Sequence, residues 1–142
     1  MLSEVEFLVE GQQLVKRHDR MLAEVSSQFG MNKTELAVLM FLSENPDKNT
    51  ARDIVESRML TKSCVSKTID SLVRQGYLTT REDAGDRRIL HLYVQEKAME
   101  AAEAGLEAQK DMMVTIGRGI TEEEKTFFFA ILQKMVENTK EL

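Results

Sequence analysis

Apolar residues recur every three or four positions along most of the chain, and they alternate with polar residues in one short stretch. The helical spacing predicts a long amphipathic helix over about residues 2–29, helices that begin near residues 32, 51, 61 and 121, and another long helix over about 96–117. The β-rich segments Tyr77–Arg81 and Ile89–Val94 flank a charged, turn-forming segment, which predicts a β-hairpin. The expected fold is mainly α with a small β-hairpin.

The predicted helix ends rest on capping residues, and the predicted core rests on helical periodicity. Asn32 and Thr121 are each followed three residues later by a Glu, as in a capping box, and Gly30 and Gly76 are placed to end helices. Apolar residues at helical spacing form one face of each of the two long helices: Leu8, Val15, Met21, Leu22, Val25 and Phe29 in the first, and Met99, Ala102, Leu106, Met113 and Ile116 in the second. The residues predicted to be buried are Leu36, Leu39, Met40, Phe41, Ile54, Val55, Val65, Ile69, Leu72, Val73, Phe128, Ile131, Leu132 and Met135. A seam of small residues, Ala98, Ala101, Gly105 and Ala108, is expected to pack closely against another helix.

Two short helices followed by the hairpin have the pattern of a winged helix. The helices at about 51–57 and 61–76 match a helix-turn-helix, whose second helix turns a polar face outward. That outward face is predicted to carry Ser63, Lys67, Asp70, Ser71 and Arg74. The helix pair alone is weak evidence, because most helix pairs bind no DNA. The hairpin directly after it favours a winged helix-turn-helix.

Composition and charge limit the class of protein. A length of 142 residues suits one domain, and the chain has one cysteine, no apolar run of 18 residues and an acidic N-terminal stretch. We therefore expect a soluble, cytoplasmic protein that makes no membrane contact. The net charge of −5 argues against a general polyanion binder, yet residues 52–91 carry eight Lys or Arg against six Asp or Glu. A locally basic middle in an acidic chain favours an oriented, specific binder.

Candidate DNA contacts lie at two places. On the second helix they are Thr61, Lys62, Ser63, Ser66, Lys67 and Arg74, because the first turns of a recognition helix lie nearest the base edges and Arg74 suits a phosphate. Thr61 is first of all an N-cap, and Arg74 can instead pair with Asp70. At the hairpin tip the candidates are Asp86, Arg87 and Arg88, since a narrow minor groove attracts arginine. The competing interpretation is that Asp83 and Asp86 neutralise the arginines as surface ion pairs.

Other candidate chemistry is sparse. Cys64 lies near the start of the second helix, where a redox role is conceivable but a small filler is more common. His18 and His91 lie far apart in sequence without a cluster of ligands around them, so we expect no metal and no cofactor. The motifs of nucleotide-binding and hydrolytic enzymes are missing from the sequence, and we expect a protein that is not an enzyme.

The sequence resembles the MarR family of bacterial transcriptional regulators. The resemblance rests on Leu60–Ser63, on Leu72–Leu78 and above all on Asp86-Arg87-Arg88 followed by alternating aliphatic residues. It implies a winged-helix DNA-binding lobe at about 32–94 within a single domain of residues 1–142, flanked by dimerisation helices at about 2–29 and 96–140. By position, Arg88 would enter the minor groove and Asp86 would hold it, with Arg87 a second candidate. The chain departs from the family at Gln95–Ala98, where Thr-Glu-Lys-Gly is frequent.

Together these observations predict a homodimeric repressor that binds pseudo-palindromic double-stranded DNA. The resemblance further implies a small-molecule effector bound between the dimerisation helices and the DNA-binding lobe. The alternative is a winged-helix module that binds protein, which the acidic overall charge favours.

Overall fold

The computed structural model describes residues 3–142, in which six helices and one β-hairpin follow one another. The elements are α1 Glu6–Gln28, α2 Lys33–Glu44, α3 Ala51–Arg58, α4 Lys62–Arg74, β1 Leu78–Glu82, β2 Leu90–Val94, α5 Glu96–Ile116 and α6 Glu122–Thr139. The expected fold class and element order are confirmed, although Leu2, where the first helix was expected to begin, lies outside the described residues. The contacts divide the chain into one compact unit that ends at Lys110 and a second from Asp111 to Leu142.

The predicted capping residues do end and begin the helices. Asn32 and Glu35 form a capping box at the start of α2, with bonds of 2.8 and 3.0 Å, and Thr121 forms another with Glu124 at the start of α6. Gly76 adopts a φ of 78° directly after α4, a conformation that glycine takes without a steric penalty. Short-range hydrogen bonds thus fix the boundaries of these elements.

The core of the first unit is centred on α2. Leu36, Val38, Leu39, Phe41 and Leu42 are all buried, so α2 is covered on nearly every side. The other buried apolar residues are Leu22, Met31, Met40, Ile54, Val65, Ile69, Leu72, Leu78, Leu92, Ala98, Ala101 and Ala102. Because α1, α4 and β2 contact α2, one central helix positions both the second helix of the helix-turn-helix and the hairpin.

The hairpin is joined to the core along one edge and one face. Its strands pair antiparallel, with Leu78 opposite Val94 and Glu82 opposite Leu90. Leu78 and Leu92 are buried, whereas the other strand positions are partly or fully exposed. The Leu92 amide also donates to the Asn49 carbonyl at 2.8 Å, so the loop before α3 lies along the free edge of β2.

The seam of small residues on α5 packs against α2, as expected. Ala98 and Ala101 are buried, Ala108 is half-buried, and a Cβ added at Gly105 would lie 2.5 Å from the Met40 Sδ atom and 3.3 Å from the Leu36 Cδ1 atom. An added side chain there would have to displace Met40, so glycine lets α5 lie close to these α2 side chains. A Cβ added at Gly11, by contrast, would meet no atom within 4 Å. Helix α1 continues through Gly11 without a break.

Five residues predicted to be buried are exposed instead: Val73, Phe128, Ile131, Leu132 and Met135. Leu8, Val15, Met99 and Met113, which lie on the apolar faces of the two long helices, are exposed as well. The prediction was wrong because periodicity identifies an apolar face but does not show what covers it. All 18 residues of α6 are described, and not one of them is buried.

None of the helices within residues 3–142 is long and apolar enough to cross a membrane.

Gly105→Ala is expected to destabilise the chain. The added methyl group displaces the buried Met40 side chain, an overpacking cost of about 1–3 kcal/mol that outweighs a gain in helix propensity of about 1 kcal/mol. Gly11→Ala is the matched control, and its open surroundings leave only the propensity gain. Urea unfolding should show a lower free energy of unfolding for Gly105→Ala and a higher one for Gly11→Ala. A stabilised Gly105→Ala variant would show that the two helices can move apart at no cost.

Candidate nucleic-acid interface

Helix α4 is held by its N-cap and by one buried face. The Thr61 hydroxyl accepts the Cys64 backbone N–H at 3.1 Å, which confirms the predicted cap. Val65 and Leu72 are fully buried, and the hydroxyl of the buried Thr68 donates to the Cys64 carbonyl at 2.8 Å. Thr68 was missed in the sequence because a polar side chain does not contribute to an apolar stripe.

The exposed face of α4 is cationic and polar. Lys62, Ser63, Ser66, Lys67 and Arg74 are all exposed. Among residues 3–142, Lys62 and Lys67 form no side-chain hydrogen bond or ion pair, so their ammonium groups are available to another molecule. The alternative pairing of Arg74 with the Asp70 carboxylate does not occur, since Arg74 Nε donates to the Asp70 backbone carbonyl at 3.4 Å. The positive charge of Arg74 is therefore not neutralised by Asp70.

Ser71 does not belong to this exposed face, which corrects the prediction. Its hydroxyl donates to the Glu35 carboxylate at 2.9 Å, and the Gln75 amide donates to the same carboxylate oxygen at 2.8 Å. Glu35 is buried, and its other oxygen accepts the Asn32 N–H of the capping box. A single carboxylate thus caps α2 and attaches the C-terminal half of α4 to it. The sequence identified the cap but gave no sign of the second contact.

The hairpin tip, called the wing tip below (residues 83–88), is shaped by Asp83. One carboxylate oxygen of Asp83 accepts the N–H groups of Gly85 and Asp86 at 2.9 and 3.0 Å, an Asx-type turn. Its other oxygen lies 2.7 Å from Nε2 of His91. The hydrogen bonds from His91 and from the two backbone amides lower the pKa of the Asp83 carboxyl, because they stabilise its ionised form.

Asp86 holds Arg88 in a two-point contact. Arg88 Nε and Nη2 donate to the two Asp86 oxygens at 3.1 and 3.0 Å, and the Arg88 backbone N–H donates to the same carboxylate at 3.0 Å. This contact lowers the pKa of Asp86 and raises that of Arg88. The Arg88 side chain is still 90% exposed, so its outer edge can donate to another molecule. Arg87 is exposed and forms no hydrogen bond or ion pair within residues 3–142.

The competing interpretation of the wing tip is correct for one aspartate only. Asp86 does pair with an arginine, but Asp83 pairs with His91 and with backbone amides. The other ring nitrogen of His91 lies 2.7 Å from the Asn49 side-chain oxygen. This role of His91 and Asn49 was not predicted, because the two residues lie 42 positions apart and nothing local connects them.

A groove of about 590 Å³ opens elsewhere in the first unit, bounded by α1, α2, α5 and the turn between α3 and α4. Leu22, Ala37, Met40 and Leu60 line its apolar part. Its polar part includes Asp19 and Lys33, which form a 3.6 Å ion pair, and His18 and Gln109, whose side chains meet at 3.1 Å. The residues described contain no group of three or more His, Cys, Asp or Glu side chains that could hold a metal ion.

Comparison with known sequences gives one family and a curated relative. Residues 29–89 match the model of the MarR family. The transcriptional regulator AdcR of Streptococcus pneumoniae serotype 2 is 28% identical over 91 residues, which cover 64% of this chain and 61% of that relative. The matched segment therefore spans less than two thirds of AdcR.

Comparison with solved structures gives the same fold over nearly the whole chain. A MarR protein from Peptoclostridium difficile superposes with a TM-score of 0.81 at 22% identity, over 99% of this chain and 94% of that one. MepR from S. aureus, solved as a DNA complex, superposes with a TM-score of 0.78 at 20% identity, over 97% and 99% of the two chains.

Proposed function

We propose that this chain, whose residues 29–89 match the model of the MarR family, is a member of that family and a homodimeric transcriptional repressor that binds a pseudo-palindromic DNA site. One observation carries the proposal: the same compact unit presents an exposed cationic face on α4 and an arginine held in place at the tip of the adjoining wing. A bound dimer of this kind represses by occupying the DNA that the polymerase needs.

The exposed face of α4 supplies the contacts with the major groove. Ser63 and Ser66 can donate or accept at base edges, and Lys62 and Lys67 can bond guanine or a phosphate. Thr61 at the N-cap and Arg74 at the last turn are placed for the phosphates on either side. None of these charges has to leave an ion pair within residues 3–142 to meet DNA, so binding does not require breaking one.

The wing supplies the minor-groove contact. Arg88 is already oriented by Asp86, so less side-chain entropy is lost when it enters a groove than for a free arginine. Arg87 is exposed beside it and is the second candidate, suited to a phosphate. MepR, a protein with the same fold, was solved bound to DNA, which supports DNA as the partner of this chain.

The exposed apolar faces support the homodimer. In α6, Phe127, Phe128, Phe129, Ile131 and Val136 are each more than half exposed, and in the N-terminal half of α1 the same holds for Leu8 and Val15. Large exposed apolar surfaces mark sites of association. A second copy provides an identical face, and two-fold symmetry would place two recognition helices about 10 bp apart on one duplex.

The groove between α1, α2, α5 and the turn before α4 is proposed to bind a small-molecule effector. Its volume lies in the range of ligand pockets, about 300–1,000 Å³, and it joins an apolar floor to charged groups. Arg58, at the end of α3, and Leu60, in the turn that leads into α4, both contribute to it. A ligand there can therefore favour one position of the recognition helix over another.

Arg88→Ala is expected to lower the affinity for DNA roughly five- to 150-fold, or about 1–3 kcal/mol, and to make binding less salt-dependent by about one unit of the log–log slope. Duplexes are first selected from a random pool with the wild-type chain, and affinities are then measured from 50 to 300 mM salt. Arg118→Ala, outside the winged-helix residues, is the control with the same change in charge. If the affinity changes neither with salt concentration nor with Arg88→Ala, the result would instead favour the alternative, a winged-helix module that binds protein.

Phe128→Asp is expected to convert a dimer into a monomer, because a carboxylate in an apolar interface would be desolvated without a partner. Gln133→Asp is the control: at 100° per residue it lies about 140° round α6 from Phe128. Light scattering at micromolar concentration should give the mass of two chains for the wild type and the control. A monomeric wild type would contradict the two-half-site arrangement.

Ala37→Leu is expected to fill part of the groove and to abolish a response to effector without affecting DNA binding. The wild-type chain on its selected duplex is screened with amphipathic small molecules, among which an effector should change affinity about fivefold or more. Ala130→Leu on exposed α6 is the control and should respond as the wild type does. If no compound alters the affinity of a chain that binds DNA normally, the effector proposal fails.

A further inference from the structure

His91 connects two parts of the first unit that are distant in sequence. Its Nδ1 lies 2.7 Å from the Asn49 side-chain oxygen, in the loop before α3, and its Nε2 lies 2.7 Å from Asp83, at the base of the wing tip. The Asn49 carbonyl also accepts the backbone N–H of Leu92, the residue after His91. Asn49 is itself buried, so this loop is a fixed support rather than a free surface segment.

From Asp83 the contacts continue to the wing arginine. The Asp83 oxygen that does not meet His91 accepts the N–H groups of Gly85 and Asp86, which sets the turn. Asp86 then accepts the backbone N–H, Nε and Nη2 of Arg88. Every bond in this series lies between 2.7 and 3.1 Å. The position of the Arg88 guanidinium is thereby tied to the loop that precedes α3.

We propose that His91 is a positioning residue for DNA binding: by joining Asn49 to Asp83 it fixes the turn that presents Arg88 to the minor groove. This inference rests on the proposed function, since it assigns His91 a role through Arg88. His91 itself makes no contact with DNA in this arrangement.

Histidine suits this position because its two ring nitrogens lie on different sides of one rigid ring. When neutral, the ring donates through one nitrogen and accepts through the other. Asp83 requires a donor, so Nε2 carries a proton. The Asn49 amide then meets Nδ1 through its NH₂ group if the ring is neutral, and through its oxygen if both ring nitrogens carry protons. A single Gln or Asn can reproduce only one of the two contacts.

The neighbouring cation on the hairpin does not compete for Asp83. Arg81 lies opposite His91 in the strand register, but its guanidinium sits over the Tyr93 ring at 5.1 Å from the ring centre. Within residues 3–142, the Asp83 carboxylate therefore depends on His91 for its only side-chain partner. Without His91, the turn at Asp83 keeps only the hydrogen bonds from the backbone N–H groups of Gly85 and Asp86.

The test is a double-mutant cycle between His91 and Arg88, measured on the duplexes selected with the wild-type chain. His91→Ala should lower DNA affinity about three- to tenfold, the net effect of losing one ordinary hydrogen bond, and should have no further effect in an Arg88→Ala background. His91→Gln, whose amide reaches the Nε2 position and keeps only the Asp83 contact, should restore part of the affinity, whereas His91→Asn, which reaches only the Nδ1 position, should bind as weakly as His91→Ala. Thr80→Ala, an exposed strand position, is the control.

A second readout separates positioning from a general loss of stability. The Arg88 Nε–H signal in NMR spectra of the free chain should be sharp in the wild type and in His91→Gln, and broadened in His91→Ala. Equal losses of affinity with and without Arg88, or a His91→Ala variant that binds as the wild type does, would overturn the inference. If His91→Ala does not fold, the comparison of His91→Gln with His91→Asn decides the question. A wild-type chain that selects no duplex would instead contradict the proposed function.

Discussion

Helix α2 buries side chains on nearly all of its sides, and α1, α4 and β2 pack around it. Each buried Leu or Phe contributes about 1.5–3 kcal/mol, so this burial stabilises the unit far more than any one of its polar contacts. The orientation of α4 on this surface is set by a polar group on α2. The Glu35 carboxylate caps α2 and accepts hydrogen bonds from Ser71 and Gln75, which fixes how α4 lies on the apolar surface. Apolar burial holds α4 in place, and Glu35 orients it.

The two proposed DNA contacts present their charges in different ways. On α4, Lys62 and Lys67 are long, exposed side chains without partners among the described residues, and they can adjust to the phosphates and bases they meet. On the wing, Arg88 is a planar group held at two points by Asp86, which is in turn placed by the Asp83 turn. A narrow groove demands a defined position, so the fixed group belongs on the wing and the adaptable groups on the helix.

The second unit and the start of α1 contrast with the well-covered centre of the first unit. The apolar stripe of α6 is regular, yet its phenylalanines are more than half exposed. The N-terminal half of α1 has the same character. A helix with an apolar face and no cover within the described chain is stabilised by association, and this requirement links the fold to the proposed dimer.

The sequence by itself determined the elements, their boundaries and the general place of the site, because the signals involved are local. Asn32 with Glu35, Thr61 and Gly76 act within four residues, and the hairpin follows from alternation around a turn. The assignment of individual DNA contacts, Arg88 included, remains a prediction. Only the tertiary structure decided which polar groups meet across the fold. Ser71 and Glu35 are 36 residues apart, and His91 and Asn49 are 42 apart, so no local pattern connects them. Periodicity likewise identified the apolar face of α6 without showing that the chain leaves it exposed, because what covers a face depends on which surfaces the fold brings beside it.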